Sequence, residues 1–121
     1  MKINTDLIKF ESGINLESGI KLESFELMVE TYGELNADKT NGILVCHAFS
    51  GNHHAAGKSA DSGLLGWWDE IIGPGKAIDT DKFFVVCSNN LGGCSGSSGP
   101  LSTNPETSES YGKDFPSVSV T

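Results

Sequence analysis

The run Ile43-Leu44-Val45-Cys46, breaking at once into His47-Ala48-Phe49-Ser50-Gly51, constrains this chain more than any other feature. Four consecutive apolar residues fit a short strand covered on both faces, as in the middle of a sheet layered between helices. A small polar turn bounded by Gly follows directly. In sheets of that kind, ligands sit beyond the carboxyl ends of the strands. A turn at that point can aim backbone N–H groups at a reacting oxygen. A second apolar run, Phe83-Phe84-Val85-Val86-Cys87, leads in the same way into a Gly/Ser/Asn-rich segment from Asn89 to Ser110. A loop of that length in a compact domain is functional or disordered. By chain order it should face the same end of the sheet as the first turn.

The stretch before the first apolar run reads as antiparallel strands. Glu11-Ser12-Gly13-Ile14-Asn15-Leu16 is nearly repeated as Glu17-Ser18-Gly19-Ile20-Lys21-Leu22. A period of six is too short for a helical solenoid unit, and a β-helix needs many more copies. Short strands separated by Ser-Gly turns are the better reading. Ile20 and Leu22 share one parity, whereas Phe25, Leu27 and Val29 share the other. That slip predicts a bulge or sharp bend near Glu23-Ser24. Gly33 to Asn41 is then a polar connection. Downstream, Leu64, Trp67, Trp68 and Ile71 fall at i, i+3, i+4 and i+7 behind an Asp61-Ser62 cap, which predicts a helix closed by Gly73-Pro74-Gly75. Gly63 and Gly66 weaken it by about 1 kcal/mol each relative to Ala. Val118-Ser119-Val120 reads as the start of a further strand.

Composition removes several classes of function. Among 121 residues the net charge is −8, and all eight basic residues are Lys. A chain without Arg is ill suited to nucleic acid, where cationic contacts to phosphate dominate affinity. It also lacks the planar fork that grips carboxylates bidentately. Any Arg contact to an amino-acid carboxylate or to coenzyme A phosphates must come from outside these residues. Cys46, Cys87 and Cys94 are odd in number and form no C-x-x-C pair, so they read as free thiols in a reducing compartment. The N-terminus has no apolar signal core, and no apolar run reaches the ~18 residues of a membrane span. A cytoplasmic location, no membrane partner and no nucleic-acid partner are the resulting expectations.

The candidate chemistry is narrow. His47, His53 and His54 fit neither an i, i+4 ligand pair nor a Cys/His finger, and no carboxylate stands near them in sequence before Asp61. No metal is expected. Gly51 to Ser59 is a near-miss to a phosphate loop: five residues, not four, separate Gly51 from Gly57. A Walker-type Asp is missing after Phe83–Cys87, where Ser88-Asn89 stands. A hydrolase nucleophile would sit in G-x-S-x-G at a strand-to-helix turn. Ser59, Ser95 and Ser98 each match only the first half of that motif. Cys46 and Cys94 have no evident base partner.

Taken in order, the blocks resemble one family. Glu30-Thr31-Tyr32-Gly33-Glu34-Leu35-Asn36 is followed by the 43–51 strand and turn, then Gly66-Trp67-Trp68-Asp69, then Gly73-Pro74-Gly75-Lys76-Ala77-Ile78-Asp79-Thr80. Ser88-Asn89 with Leu91-Gly92-Gly93-Cys94, Tyr111-Gly112 and Asp114-Phe115-Pro116 complete the set. Together they resemble the N-terminal part of the homoserine O-acetyltransferase family of the α/β-hydrolase superfamily, from about residue 10 onward. The resemblance implies an α/β fold: antiparallel N-terminal strands (about 10–41) leading into a mostly parallel core sheet (42–121). The domain would then be incomplete, ending before the nucleophile elbow.

It further implies ping-pong transfer of acetyl from acetyl-CoA to L-homoserine, on the route to methionine, through a Ser activated by His and Asp. That triad would lie beyond Thr121. The family pattern puts one oxyanion donor on the backbone N–H of Phe49, where relatives more often carry an aliphatic residue. Each such donor is worth roughly 3 kcal/mol in the transition state. His47, Ser50, Gly51 and Asn89 are loop candidates for binding, and His53 to Gly57 lines the site entrance. Acetyl-CoA would be a co-substrate, with no permanently bound cofactor, and a homodimer is compatible. Succinyl-CoA as donor, serine as acceptor, or a non-catalytic binding module are the alternatives. The 121 residues alone are expected to be inactive and poorly soluble.

Overall fold

A computed structural model describes residues 1–119. Its eight strands in chain order are β1 (Ile3–Phe10), β2 (Ile14–Asn15), β3 (Lys21–Leu22), β4 (Phe25–Tyr32), β5 (Gly42–Val45), β6 (Ile72–Gly73), β7 (Ile78–Asp79) and β8 (Phe84–Ser88). One 3₁₀ turn spans Gly112–Asp114. The main sheet has the order β1-β4-β8-β5. β1 and β8 both run antiparallel to β4, whereas β5 runs parallel to β8. This mixed sheet, antiparallel first and parallel after, is the beginning of an α/β-hydrolase fold. No helix among the described residues is long and apolar enough to cross a membrane.

The N-terminal strands begin earlier than the motif blocks suggest. β1 starts at Ile3 and pairs with β4 along its entire length, from Ile3 opposite Tyr32 to Phe10 opposite Phe25. Phe10 and Phe25 stack with centroids 4.8 Å apart, a cross-strand pair that pins this register. The near-repeat forms the small β2–β3 hairpin, with Gly13 (φ +66°) and Gly19 (φ +86°) at its turns. A side chain at Gly13 would put Cβ 2.2 Å from the Leu22 carbonyl oxygen. The expected break near Glu23-Ser24 is where the chain bends out of this hairpin and into β4 of the main sheet.

Four expectations are corrected. β5 is not covered on both faces: it lies at the end of the sheet, and Leu44 is 70% exposed although Val45 is buried. The second run forms β8 from Phe84 rather than Phe83, and Val85 and Cys87 are fully buried between β4 and β5. No helix forms over residues 61–72. Leu64, Trp67 and Trp68 are exposed, whereas Gly66 and Ile72 are buried. Backbone bonds in this segment run to distant partners: Gly66 N–H to the Gly57 carbonyl (2.9 Å) and Trp68 N–H to the Ala55 carbonyl (2.7 Å). A Cβ on Gly66 would lie 2.2 Å from the Ala56 nitrogen, so close backbone approach selects Gly here. Two glycines and these long-range bonds outweigh the weak helical periodicity. Val118 and Ser119 carry no strand, and Val120 lies outside the described residues.

The core is small: Tyr32, Val45, Ala55, Ala56, Ile72, Val85 and Cys87 pack together, with Ile3, Ile43 and Ile78 against them. Burying a side chain such as Val85 contributes about 1.5–3 kcal/mol. The long segment after β8 is tied down by serines. Ser97 Oγ accepts the Met28 N–H at 2.9 Å and donates to the Asn89 carbonyl at 2.7 Å. Ser98 Oγ accepts the Glu26 N–H at 2.8 Å, and the Ser98 N–H donates back to the Glu26 carbonyl at 2.8 Å. These bonds continue the edge of β4 past the end of β8. Cys46, Cys87 and Cys94 are free thiols, and burial pushes that of Cys87 up to about 11.

Candidate functional site

The parallel register sets Val45 opposite Cys87, so β5 and β8 end at the same edge and their loops emerge side by side. The turn after β5 is held at its carbonyl. Ala48 O accepts the Gly51 N–H at 2.8 Å and the His47 Nδ1–H at 2.7 Å. The other ring nitrogen of His47, Nε2, accepts the Asn90 N–H at 3.2 Å. One imidazole thus joins the two loops. Phe49 stands at the tip, fully exposed, and among the described residues its N–H has no partner. Ser50 is exposed beside it. Asn89 is only 2% exposed: its N–H donates to the Met28 carbonyl at 2.8 Å, and its Nδ2 is buried without a partner among the described residues. The structure therefore joins His47, Phe49 and Gly51 in one turn and puts Asn89 beneath the neighbouring loop.

Behind the turn, residues 52–57 are clamped to β4 by a buried polar hub. Glu30, 5% exposed, accepts Thr5 Oγ1–H at 2.9 Å on one oxygen. Its other oxygen lies 2.8 Å from His54 Nδ1 and accepts the Tyr32 hydroxyl in a short hydrogen bond. The Tyr32 oxygen in turn accepts the N–H groups of Ala55 (2.7 Å) and Ala56 (3.1 Å). Burial, and then the Glu30 carboxylate, hold the Tyr32 phenol far above its ordinary range. His54 Nε2 reaches the Leu64 carbonyl at 3.2 Å. Further along, Asp69 Oδ1 accepts the Gly57 N–H at 2.7 Å, while Lys76 Nζ donates to both its Oδ2 and its backbone carbonyl. The Gly57 N–H, and then Lys76, hold the Asp69 carboxyl below its usual range.

The turn is legible in the sequence and the hub is not: Glu30 is 24 residues from His54 and meets it only in the folded chain. The available signal was a Glu inside an apolar, β-branched strand. A buried carboxylate there requires several donors. Among the described residues no group of three or more His, Cys, Asp or Glu side chains is placed to hold a metal ion. A cleft of about 650 Å³ separates β3 from residues 104–116, with Leu22, Glu106, Tyr111 and Asp114 in its walls; it shares no lining residue with the 47–51 turn.

Known proteins place this chain. No protein-family model matches it. It is 64% identical over 114 residues to a homoserine O-succinyltransferase of Neisseria gonorrhoeae, covering 93% of this chain and 30% of that protein. It is 59% identical over 119 residues to a homoserine O-succinyltransferase of Hahella chejuensis, covering 98% of this chain and 31% of that protein. The chain thus spans less than a third of the length of these curated relatives. Among solved structures it matches a homoserine O-acetyltransferase from Bacillus anthracis with TM-score 0.86 and 39% identity, over 98% of this chain and 34% of the other. Esterase E22 matches with TM-score 0.85 and 38% identity, again over 98% of this chain and 34% of the other.

Proposed function

We propose that this chain, a homologue of the homoserine O-acyltransferases on an α/β-hydrolase fold, forms one wall of an acyl-transfer site whose nucleophile comes from residues outside it. The observation that carries the reading is the unpartnered Phe49 N–H at the carboxyl end of a parallel strand pair. A backbone donor held there suits the oxyanion of a tetrahedral intermediate. A second donor, a serine nucleophile and its His and Asp belong in this reading to the remainder of the protein, since no G-x-S-x-G occurs here. Arg contacts to substrate carboxylate or coenzyme phosphates belong there too. An acyl-CoA is then a co-substrate, and no cofactor is permanently bound.

Two acyl donors fit the fold. The motif blocks favour acetyl-CoA. The relatives at 55–64% identity carry the name succinyltransferase, which favours succinyl-CoA. The esterase neighbour supports a third outcome, in which water replaces the amino-acid hydroxyl as acceptor. One assay separates them: CoA release by the native-length protein, with each acyl-CoA, in the presence of homoserine, serine or neither. Homoserine-dependent release is the expected result, and the faster donor identifies the acyl group. The 121-residue chain alone should give no release above buffer. Release by that chain alone, or indifference of the native-length protein to homoserine, would overturn the reading.

A further inference from the structure

We infer that His47 is the positioning residue of the oxyanion turn, setting the plane of the Ala48–Phe49 peptide rather than touching substrate. The inference rests on the acyl-transfer reading for its consequence but not for its geometry. The Ala48 carbonyl and the Phe49 N–H belong to one peptide unit. No cis peptide bond occurs among the described residues, so the two groups point in opposite directions. Whatever fixes the carbonyl therefore aims the N–H. Two donors fix it: the Gly51 N–H at 2.8 Å and His47 Nδ1 at 2.7 Å. With the carbonyl engaged by both, the Phe49 N–H on the opposite side of the peptide has no partner among the described residues.

The ring itself is held in that orientation. Ala48 O can only accept, so Nδ1 carries the proton, and Nε2 is the acceptor for the Asn90 N–H at 3.2 Å. That second bond ties the turn to the loop after β8, so the donor's position is referenced to both parallel strands. Gly51 is part of the same device. A Cβ at Gly51 would lie 2.9 Å from His47 Cβ and 3.2 Å from both the Ala48 oxygen and His47 Nδ1. Any larger residue would push the ring off the carbonyl. Hydrogen bonds to the carbonyl also polarise the peptide and strengthen its N–H as a donor. His47 and Gly51 thus act as a pair on the peptide between them.

The test uses the native-length protein with three substitutions. His47→Ala removes both bonds. His47→Asn keeps a donor at the Nδ1 position, and His47→Gln keeps only the reach toward Asn90. Removing one oxyanion donor outright costs about 10²–10³ in turnover. Misaiming it should therefore cost about 10- to 100-fold in kcat with KM changed less than about twofold, in His47→Ala and His47→Gln. His47→Asn should recover most of the loss. Equal loss in all three, or unchanged kcat in His47→Ala, overturns the inference. In parallel, the ¹⁵N and ¹³C resonances of the Ala48–Phe49 peptide should move in His47→Ala and return in His47→Asn. That readout needs no turnover. If the native protein transfers no acyl group yet these resonances respond, the functional reading falls and the positioning role stands. If they do not respond, the positioning role falls by itself.

Discussion

The Tyr32 hydroxyl is the residue on which the inner wall of the site depends. It donates to Glu30 and accepts the N–H groups of Ala55 and Ala56, all in the buried interior. Tyr32→Phe keeps the ring, strands the Ala55 and Ala56 N–H groups and takes one of its donors from Glu30. An unsatisfied buried polar group costs about 1–3 kcal/mol, so a loss of about 3 kcal/mol is expected in denaturant unfolding. A loss under about 1 kcal/mol would mean that the groups find other partners. His53 sets a pH limit on the same loop. Burial, reinforced by His54 and His47, pulls it below its ordinary value of 6.5 against the opposing pull of Glu30, and its Nδ1 has no partner among the described residues. The unfolded chain then takes up the proton more readily than the folded one. Its contribution to stability is intact above pH 6.5 and is lost as the pH falls below that value. Urea midpoints at pH 7.5 and 5.5 should differ more in the native sequence than in His53→Gln. Asp69 and Asp79 are also held low, each first by a backbone N–H, but their ordinary value is 3.8, so they act in a separate, more acidic window.

Among the elements, the segment from Ser59 to Ile71 shows how far tertiary contacts override periodicity. Its apolar spacing is helical, yet its Gly66, Trp67 and Trp68 N–H groups bond to the carbonyls of Gly57, His54 and Ala55. Gly66 is where the two stretches touch, with the Ala55 and Ala56 backbone 2.2–2.5 Å from a built Cβ. Gly66→Ala should therefore destabilise by about 1–3 kcal/mol through forced displacement, although Ala is the better helix former. An unchanged or raised melting temperature would show that helical propensity governs this segment after all. The β4 strand behaves oppositely. Its alternation was legible from Phe25 to Val29, because a strand's two faces follow directly from its residues. Its partners were not: it lies between β1 and β8, whose sequences are 15 residues or more away from it at the paired positions nearest in sequence.

For the whole molecule the decisive surface is the free side of β5. The order β1-β4-β8-β5 leaves β5 with one neighbour among the described residues, and Leu44 is 70% exposed on it. An unprotected apolar edge invites pairing with other chains. Leu44→Lys should therefore reduce self-association of the isolated chain, as read by light scattering across a concentration series. The substitution moves the net charge of −8 toward zero, which by itself favours association. A decrease would thus be assigned to the edge and not to charge; unchanged scattering would exclude β5 as the contact.

The sequence by itself determined the fold class, the two parallel strands and the turn that follows the first of them, and it holds no G-x-S-x-G motif. Each of these is local: apolar runs, glycine turns and motif spacing lie within a few residues of one another. It also carried the family resemblance that relatives at 55–64% identity support. Only the tertiary structure decided that Glu30 meets His54, that Ser97 and Ser98 bind β4, and that residues 61–72 are not helical. Those are contacts across 9 to 72 residues, made between polar groups whose partners no local pattern specifies. Burial demands that such groups be satisfied, but topology alone chooses by whom. His47 stands between the two regimes. Its place in the turn was visible in the chain, and its task became visible only when its ring was found on the Ala48 carbonyl.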